Sequence, residues 1–258
     1  MKIFNQSINK KLLLILSVGF SFAYADQNIE IVGGNSAGNP KLAVVNFTNE
    51  DGSVSDEVTS DFKITGEFNV LNYVSSDAVE SGAQYTISGS VSSDPVSGQM
   101  QIEYQLLNNT TNQVLLSQTA AFNKKFQRKA IHAIDDNIYK KLTNTPSAFT
   151  SKVALAVQQG AGKYAVVLAD YDGYNPKTLI SMAHPITSLA WDSTGNYLSY
   201  VTYETGKPVV YVQNIKAGTR YVVANFNGSN SSPAFTPNSQ KLAVTLSKDY
   251  GSHVYLVN

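Results

Sequence analysis

Two stretches of this 258-residue sequence resemble motifs that carry chemistry. Gly34-Asn35-Ser36-Ala37-Gly38 matches the G-x-S-x-G pattern of serine hydrolases, in which the serine stands on a sharp turn between a strand and a helix. Asn39-Pro40 follows and another strand begins, so no helix can start where the pattern requires one. We therefore predict a loop here and no nucleophile.

The second stretch, Asp170-Tyr171-Asp172-Gly173, resembles the start of a calcium-binding loop. The further oxygen ligands of such a loop, including a closing Glu, are missing downstream. Tyr174-Asn175-Pro176 continues the stretch with residues that are typical of turns. The pattern predicts a wide hairpin turn.

Histidine and acidic residues show no metal or catalytic spacing. His132, His184 and His253 lie far apart with no i, i+4 pair, so a zinc site would have to be assembled by the fold. Asp135 and Asp136 are expected on the solvent side of a helix. No phosphate-binding glycine loop or dinucleotide fingerprint is present. We expect no enzyme activity and no cofactor, and binding is the default function.

The first 25 residues have the three regions of a secretory signal peptide. Lys2, Lys10 and Lys11 are cationic, and the apolar run 12–22 is about half the roughly 20 residues needed to span a bilayer. Ala23-Tyr24-Ala25 predicts cleavage between Ala25 and Asp26. A retained membrane anchor, the alternative, would need a longer apolar run. The sequence therefore predicts export to the periplasm.

Composition narrows the class further. The chain has no cysteine, which excludes disulfides, thiolate metal sites and a lipid anchor on cysteine. Its 19 basic and 19 acidic residues give no net charge, and removing the signal peptide with its three lysines leaves about −3. A nucleic-acid binder would show a basic patch. We expect no nucleic-acid partner, and membrane association only through other proteins.

After the signal peptide, the patterns predict an α+β domain. Residues 26–40 describe a short β-prone stretch on a Gly/Asn/Pro-rich tether. Residues 41–145 alternate strand patterns with two helices: one from about Ser53, where Ser53 and Asp56 have capping-box spacing, and one over 126–142. Pro146 marks the end of the domain.

Residues 150–258 form a repeat. Ala190-Trp191-Asp192 aligns with Ala234-Phe235-Thr236 at an offset of 44, which then holds without a gap to Asn214 and Asn258. A period of about 40–45 with several short strands per unit is typical of β-propeller blades. Because the sequence stops within its third unit, we expect an incomplete propeller. The chain is then a fragment of a longer protein or completes its sheet with another molecule.

These features together resemble the TolB family of the Tol-Pal system in Gram-negative bacteria. The resemblance covers residues 26–258, and the order of its motifs behind the α/β domain is specific. The motifs are Ile29-Glu30-Ile31-Val32, Gly66-Glu67-Phe68-Asn69, Asp170-Tyr171-Asp172-Gly173-Tyr174-Asn175, Leu189-Ala190-Trp191-Asp192 and Pro233-Ala234-Phe235-Thr236-Pro237.

The resemblance implies a six-bladed propeller that binds the lipoprotein Pal, and a mature N-terminus that binds the C-terminal domain of TolA. In that family the complex supports outer-membrane integrity and constriction during cell division. The implied TolA segment is Asn28, Ile29, Glu30, Ile31, Val32 and Gly33. The implied Pal loop is Asn227, Gly228, Ser229, Asn230, Ser231 and Ser232.

Two other functions fit an exported propeller. The chain could be the propeller part of a larger periplasmic peptidase, which predicts a hydrolase domain beyond the last blade. It could also be a stand-alone propeller that binds a small molecule in its central channel, which three blades cannot form.

Overall fold

The computed structural model describes residues 38–73, 82–94, 96–248 and 250–257, all within one folded unit, Asn35–Asn258. The predicted signal peptide, its cleavage site at Ala25 and Asp26, and residues 26–37 of the tether lie outside the described residues. So does the serine of the G-x-S-x-G motif. These predictions stay predictions.

The first part of the chain is a five-stranded mixed sheet with two helices. The strands are β1 (Lys41–Val45), β2 (Asn69–Tyr73), β3 (Tyr85–Ser93), β4 (Gln99–Asn108) and β5 (Gln113–Asn123), in the order β2-β1-β3-β4-β5. The helices are α1 (Ser53–Thr65) and α2 (Gln127–Thr143), and a short 3-10 turn, Lys124–Phe126, precedes α2. Strands β2 and β3 both run parallel to β1, whereas β4 pairs antiparallel with β3, and β5 pairs antiparallel with β4.

One apolar core joins this sheet to the helices. Leu42 and Ile102 from the sheet pack with Phe62 of α1 and Ile138 of α2, and none of the four is exposed. Phe149, beyond the end of α2, enters the same core, with its ring centroid 5.6 Å from that of Phe62. The apolar side chains of β4 face the helices while Gln101, Glu103 and Gln105 are exposed, which is the alternation expected of a strand with one buried face.

Two helix predictions are wrong in detail. The amides at the start of α1 are bound by Glu50, whose carboxylate accepts from the backbone N–H of Val54 (2.7 Å) and Ser55 (3.1 Å). Ser53 and Asp56 therefore form no capping box, because a carboxylate one turn earlier already satisfies the free amides. At α2, Phe126 lies before the helix and is half-exposed, so the buried stripe does not include it.

The second part consists of three antiparallel sheets. They are β6 (Lys152–Gly160), β7 (Lys163–Asp170) and β8 (Lys177–Met182); β9 (Ile186–Trp191), β10 (Tyr197–Thr202), β11 (Val209–Asn214) and β12 (Arg220–Ala224); and β13 (Asn230–Phe235), β14 (Leu242–Lys248) and β15 (Gly251–Val257). Strands β9 and β13 begin and end 44 residues apart, in agreement with the offset of the repeat. The predicted fold class, an α+β domain followed by propeller sheets, is confirmed.

Neighbouring sheets bury apolar faces against each other, as propeller blades do. Val201 and Val210 of the middle sheet pack with Val244 and Leu246 of the last sheet. Tyr200 and Tyr211 of the middle sheet belong to a second apolar cluster, together with Val166 of the first sheet. The middle strand β10 is buried from Leu198 to Thr202, which explains its nearly continuous apolar run.

Gly89 gives a test of this packing. An alanine Cβ there would overlap the carbonyl oxygen of Glu103 and lie 2.5 Å from Cε1 of Phe47. We expect Gly89→Ala to lower the free energy of unfolding by about 1–3 kcal/mol, measured by urea denaturation with far-UV circular dichroism. Gly38→Ala is the matched control, because its Cβ would meet nothing within 4 Å. Equal stability of the two variants would contradict the close approach of β3 and β4.

Candidate functional site at the junction of the helices and the first propeller sheet

The turn between β7 and β8 contacts both helices of the α+β part. Its backbone is closed by hydrogen bonds from the amide of Asp170 to the carbonyl of Tyr174 (2.8 Å) and from Gly173 to Asp170 (2.9 Å). The prediction of a turn at the calcium-like motif is therefore confirmed. Its side chains do more than close the turn, however, because Tyr171 and Asp172 reach into a polar cluster between α1 and α2.

Arg128 of α2 joins the turn to α1. Its guanidinium forms ion pairs with Glu57 of α1 and with Asp172 of the turn. It also lies over the ring of Tyr174, 4.1 Å from the ring centroid. One planar cation therefore holds carboxylates from two separate elements, which suits the fork of donors on a guanidinium.

Asp61 is the second link, and it is almost completely buried. Its Oδ1 accepts a hydrogen bond from the hydroxyl of Tyr171 (2.5 Å), and its Oδ2 lies 2.7 Å from Nδ1 of His132. The ring of His132 packs edge-on against that of Tyr171 at a centroid distance of 5.3 Å. Burial, followed by the hydrogen bond and charge of Asp61, raises the pKa of Tyr171 well above its usual range, so the hydroxyl remains a donor.

Carboxyl groups outnumber cations in this cluster. Asp135 of α2 is fully buried, and neither of its oxygens meets a donor. Burial and then the neighbouring charge of Asp61 raise the pKa of Asp135 well above its ordinary value. Burial also raises the pKa of Glu57, against the opposing charge of Arg128. The expectation that Asp135 lies on the solvent side of α2 is thus wrong. Its neighbour Asp136 is partly buried and accepts a hydrogen bond from the hydroxyl of Thr150 at 2.7 Å.

The same residues include a group with metal-ligand chemistry. Glu57, Asp61, His132 and Asp172 each offer one ligand atom, and these atoms lie within 4.8 Å of one another. The guanidinium of Arg128, however, binds both Glu57 and Asp172. A metal ion would have to compete with that cation, so the geometry fits an ion-pair network better than a metal centre.

The loop implied as the Pal site follows β12 and continues into the first three residues of β13. Asn227, Gly228 and Ser232 are exposed, and Ser229 and Ser231 are partly buried. Asn230 is fully buried, and its amide donates to the carbonyls of Phe226 (2.9 Å) and Pro208 (3.0 Å). Asn230 therefore fixes the loop from inside and presents no side chain to a partner, in contrast to its neighbours.

Glycine is required at position 228 of this loop. Gly228 has a φ of +93°, and a Cβ there would overlap the carbonyl oxygen of Ser247. The loop is thus held close to β14 by its backbone.

Comparisons with known proteins agree with both parts of the fold. The family model described as the TolB beta propeller domain matches residues 139–258. The Tol-Pal system protein TolB of Nitrosomonas europaea is 36% identical over 233 residues, which are 85% of this chain and 54% of the relative. The corresponding protein of Methylobacillus flagellatus is 32% identical over 85% of this chain. The crystal structure of TolB from Acinetobacter baumannii aligns with a TM-score of 0.76 and 29% identity, covering 84% of this chain and 57% of that one.

The chain belongs to the TolB family. It spans about half the length of the curated relatives that it matches. The curated relatives are named for the Tol-Pal system, and the propeller sheets of this chain match the propeller model of the family. Within the described ranges, no helix is long and apolar enough to cross a bilayer.

Most residues of the junction in this TolB family member were not predicted from the sequence, although their spacing on the two helices indicates a shared face. Arg128, His132 and Asp135 follow each other at spacings of four and three, so they share one face of α2. Glu57 and Asp61 are four apart on α1. A cation on one helix and two acids on the other favour a pairing of the two polar faces, but only the fold shows that these faces meet each other and the β7–β8 turn.

Asp135 gives the second prediction. Its pKa is raised on folding, so the folded protein binds this proton more tightly than the unfolded chain, where an aspartate titrates near about pH 3.9. Its contribution to stability is fully present below that pH and is lost as pH rises through the folded-state pKa. Asp135→Asn keeps a neutral side chain, so we expect the variant to gain stability over the parent from pH 4 to pH 7 in urea denaturation.

Asp56→Asn is the matched control for Asp135→Asn. Asp56 is exposed on α1, so this variant should keep the pH dependence of the parent. If Asp135→Asn and the parent lose stability equally between pH 4 and pH 7, Asp135 does not hold its proton in the folded state.

Proposed function

We propose that this chain is a periplasmic scaffold of the Tol-Pal complex that links the lipoprotein Pal to TolA. In this role it supports outer-membrane integrity and constriction during cell division, without catalysis of its own. The observation that carries the proposal is the similarity to TolB proteins, which runs through both the α+β sheet and the propeller sheets. The curated relatives are named for the Tol-Pal system, which favours a scaffold over the propeller of a peptidase.

For TolA, we propose binding through residues 28–33, which lie outside the described part of the chain. Ile29, Ile31 and Val32 are β-prone, and the Gly/Asn/Pro-rich stretch after them gives the segment a tether. A short β-prone segment of this kind can add a strand to the exposed sheet edge of a partner. Main-chain hydrogen bonds then provide affinity, and alternate side chains provide specificity.

For Pal, we propose contact through the exposed members of the 227–232 loop, namely Asn227, Gly228 and Ser232. The buried amide of Asn230 and the positive φ of Gly228 support this proposal, because they hold the loop in one conformation before binding. A loop that is already ordered loses little conformational entropy on association. The half-exposed ring of Phe226 beside the loop adds an apolar contact surface.

We also propose that the chain is organised as three functional parts, namely a tether (26–40), an α+β domain (41–145) and propeller sheets (150–258). Phe149 supports a tight connection between the last two, because it lies in the core of the α+β part and its ring centroid is 5.4 Å from that of Tyr171 in the first propeller sheet. Such packing favours joint movement of the domain and that sheet.

The TolA proposal is tested by deleting residues 28–33 from the mature chain. We expect the deletion to weaken binding of the TolA C-terminal domain at least about ten-fold in isothermal titration calorimetry, because the added strand is lost. The circular dichroism spectrum and the affinity for Pal should not change. Asn227→Asp is the reciprocal control, with TolA binding unchanged and Pal binding weakened. Undiminished binding of TolA by the deletion variant would remove this segment from the proposal.

A further inference from the structure

A small cavity lies beside the junction, between the start of α2, the first residue of β6 and the β7–β8 turn. Its volume is about 270 Å³. Four cationic side chains line it, namely Lys125, Arg128, Lys129 and Lys152, and the described residues around it include one carboxylate, that of Asp170. Positive charge therefore dominates the wall of this cavity, although the whole chain has 19 basic and 19 acidic residues.

The nearby acids balance only part of this charge. Lys152 pairs with Asp170, and Arg128 binds two carboxylates of the junction. Within the described ranges, by contrast, neither Lys125 nor Lys129 forms an ion pair with a carboxylate. Both lysines are exposed. Two ammonium groups at the edge of the cavity thus have donors free for an anion.

Donors on other groups add to these cations. The Nε–H of Arg128 is buried and has no hydrogen-bond acceptor among the residues that the structure describes. Ser151 lines the same cavity with an exposed hydroxyl. Buried N–H groups in proteins almost always have an acceptor, so an unpaired one in the wall of a cavity is a position at which a ligand oxygen is stabilised.

The size and charge of the cavity select a compact anion with more than one negative charge. Pockets for drug-sized ligands measure about 300–1,000 Å³, so this cavity holds a smaller group. A phosphate monoester carries about −1.5 to −2 charge at pH 7 and offers three acceptor oxygens, which several ammonium groups can share. A carboxylate has one charge and two oxygens. The lysines also repel metal cations, so a phosphate group fits this wall best.

We propose that the cavity between α2, β6 and the β7–β8 turn is a binding site for a phosphate group. Lys125, Lys129 and Lys152 supply the charge, and the Ser151 hydroxyl and the Nε–H of Arg128 supply further donors. A soluble phosphate compound and the headgroup of an anionic lipid both carry this group. The site does not include the segments proposed for TolA and Pal, so its test and theirs can fail separately.

Inorganic phosphate is the first probe. Backbone amide shifts of the mature chain are followed by two-dimensional ¹H–¹⁵N NMR while phosphate replaces chloride at constant ionic strength. We expect saturable shifts centred on residues 125–129 and 150–152. Acetate should bind at least about ten-fold more weakly, because it carries one charge where phosphate carries nearly two.

A double variant removes the two unpaired cations. Lys125→Gln with Lys129→Gln should weaken phosphate binding at least about ten-fold, because charge-assisted hydrogen bonds are lost. The matched control is Lys140→Gln with Lys141→Gln, which changes two exposed lysines in the last turn of α2 and alters the net charge equally. This control should keep the affinity of the parent, and both double variants should keep its circular dichroism spectrum.

A second probe distinguishes the two sources of the phosphate group. Vesicles of phosphatidylcholine with and without phosphatidic acid are tested by co-sedimentation. The half-exposed ring of Phe126 lies beside Lys125, with Nζ 4.8 Å from the ring centroid, and aromatic rings beside basic groups are common at membrane interfaces. Binding to the phosphatidic acid vesicles that Phe126→Ser weakens assigns a lipid headgroup. Binding of inorganic phosphate without binding of vesicles assigns a soluble phosphate compound.

Three results would overturn the phosphate site. The first is a parent chain that binds neither inorganic phosphate nor the phosphatidic acid vesicles. The second is acetate binding as tightly as phosphate. The third is equal loss of binding in the two double variants, because a general attraction between charges would then explain the result.

Discussion

Asp61 accepts from Tyr171 on one oxygen and pairs with His132 on the other, and through these two contacts a buried carboxylate joins α1 to α2 and to the first propeller sheet. A buried charge is stable only when it is paired, and removing one partner of such a pair typically costs about 3–5 kcal/mol. Arg128 likewise joins separate elements, because it forms ion pairs with Glu57 of α1 and with Asp172 of the β7–β8 turn. The connection between the two parts of the chain therefore depends on hydrogen bonds and ion pairs between side chains that are largely buried.

The apolar packing around this network makes its geometry specific. Phe149 fills the space between Phe62 and Tyr171, so the residues that follow α2 are part of the core as well as a connection. The raised pKa of Tyr171 keeps its hydroxyl protonated, which suits a structural donor and not a catalytic base. Aromatic packing and the polar network thus act on the same junction and join the α+β part firmly to the first propeller sheet.

The sequence predicted the repeat well and the junction poorly, for physical reasons that differ. The offset of 44 was readable because each blade needs the same apolar strands, and β9 and β13 obey it residue for residue. Asp135 was misplaced because an acidic side chain on a helix is normally exposed, and only the meeting of two polar helix faces buries it. The predicted start of α1 near Ser53 is correct, but the predicted capping residues are wrong. Glu50 is one of several nearby acids, and the path of the backbone decides which of them reaches the free amides. The calcium-like turn was recognised as a turn, yet its contacts with α1 and α2 depend on the tertiary fold.

The central claim is that the α+β part and the first propeller sheet are energetically coupled through Asp61 and Tyr171. A double-mutant cycle with Asp61→Ala and Tyr171→Phe measures this coupling directly from urea denaturation of the parent, both single variants and the double variant. The account predicts a coupling of about 1–3 kcal/mol, with Asp61→Ala and Tyr200→Phe additive to within about 0.5 kcal/mol as the reference. Additive effects of Asp61→Ala and Tyr171→Phe would contradict it.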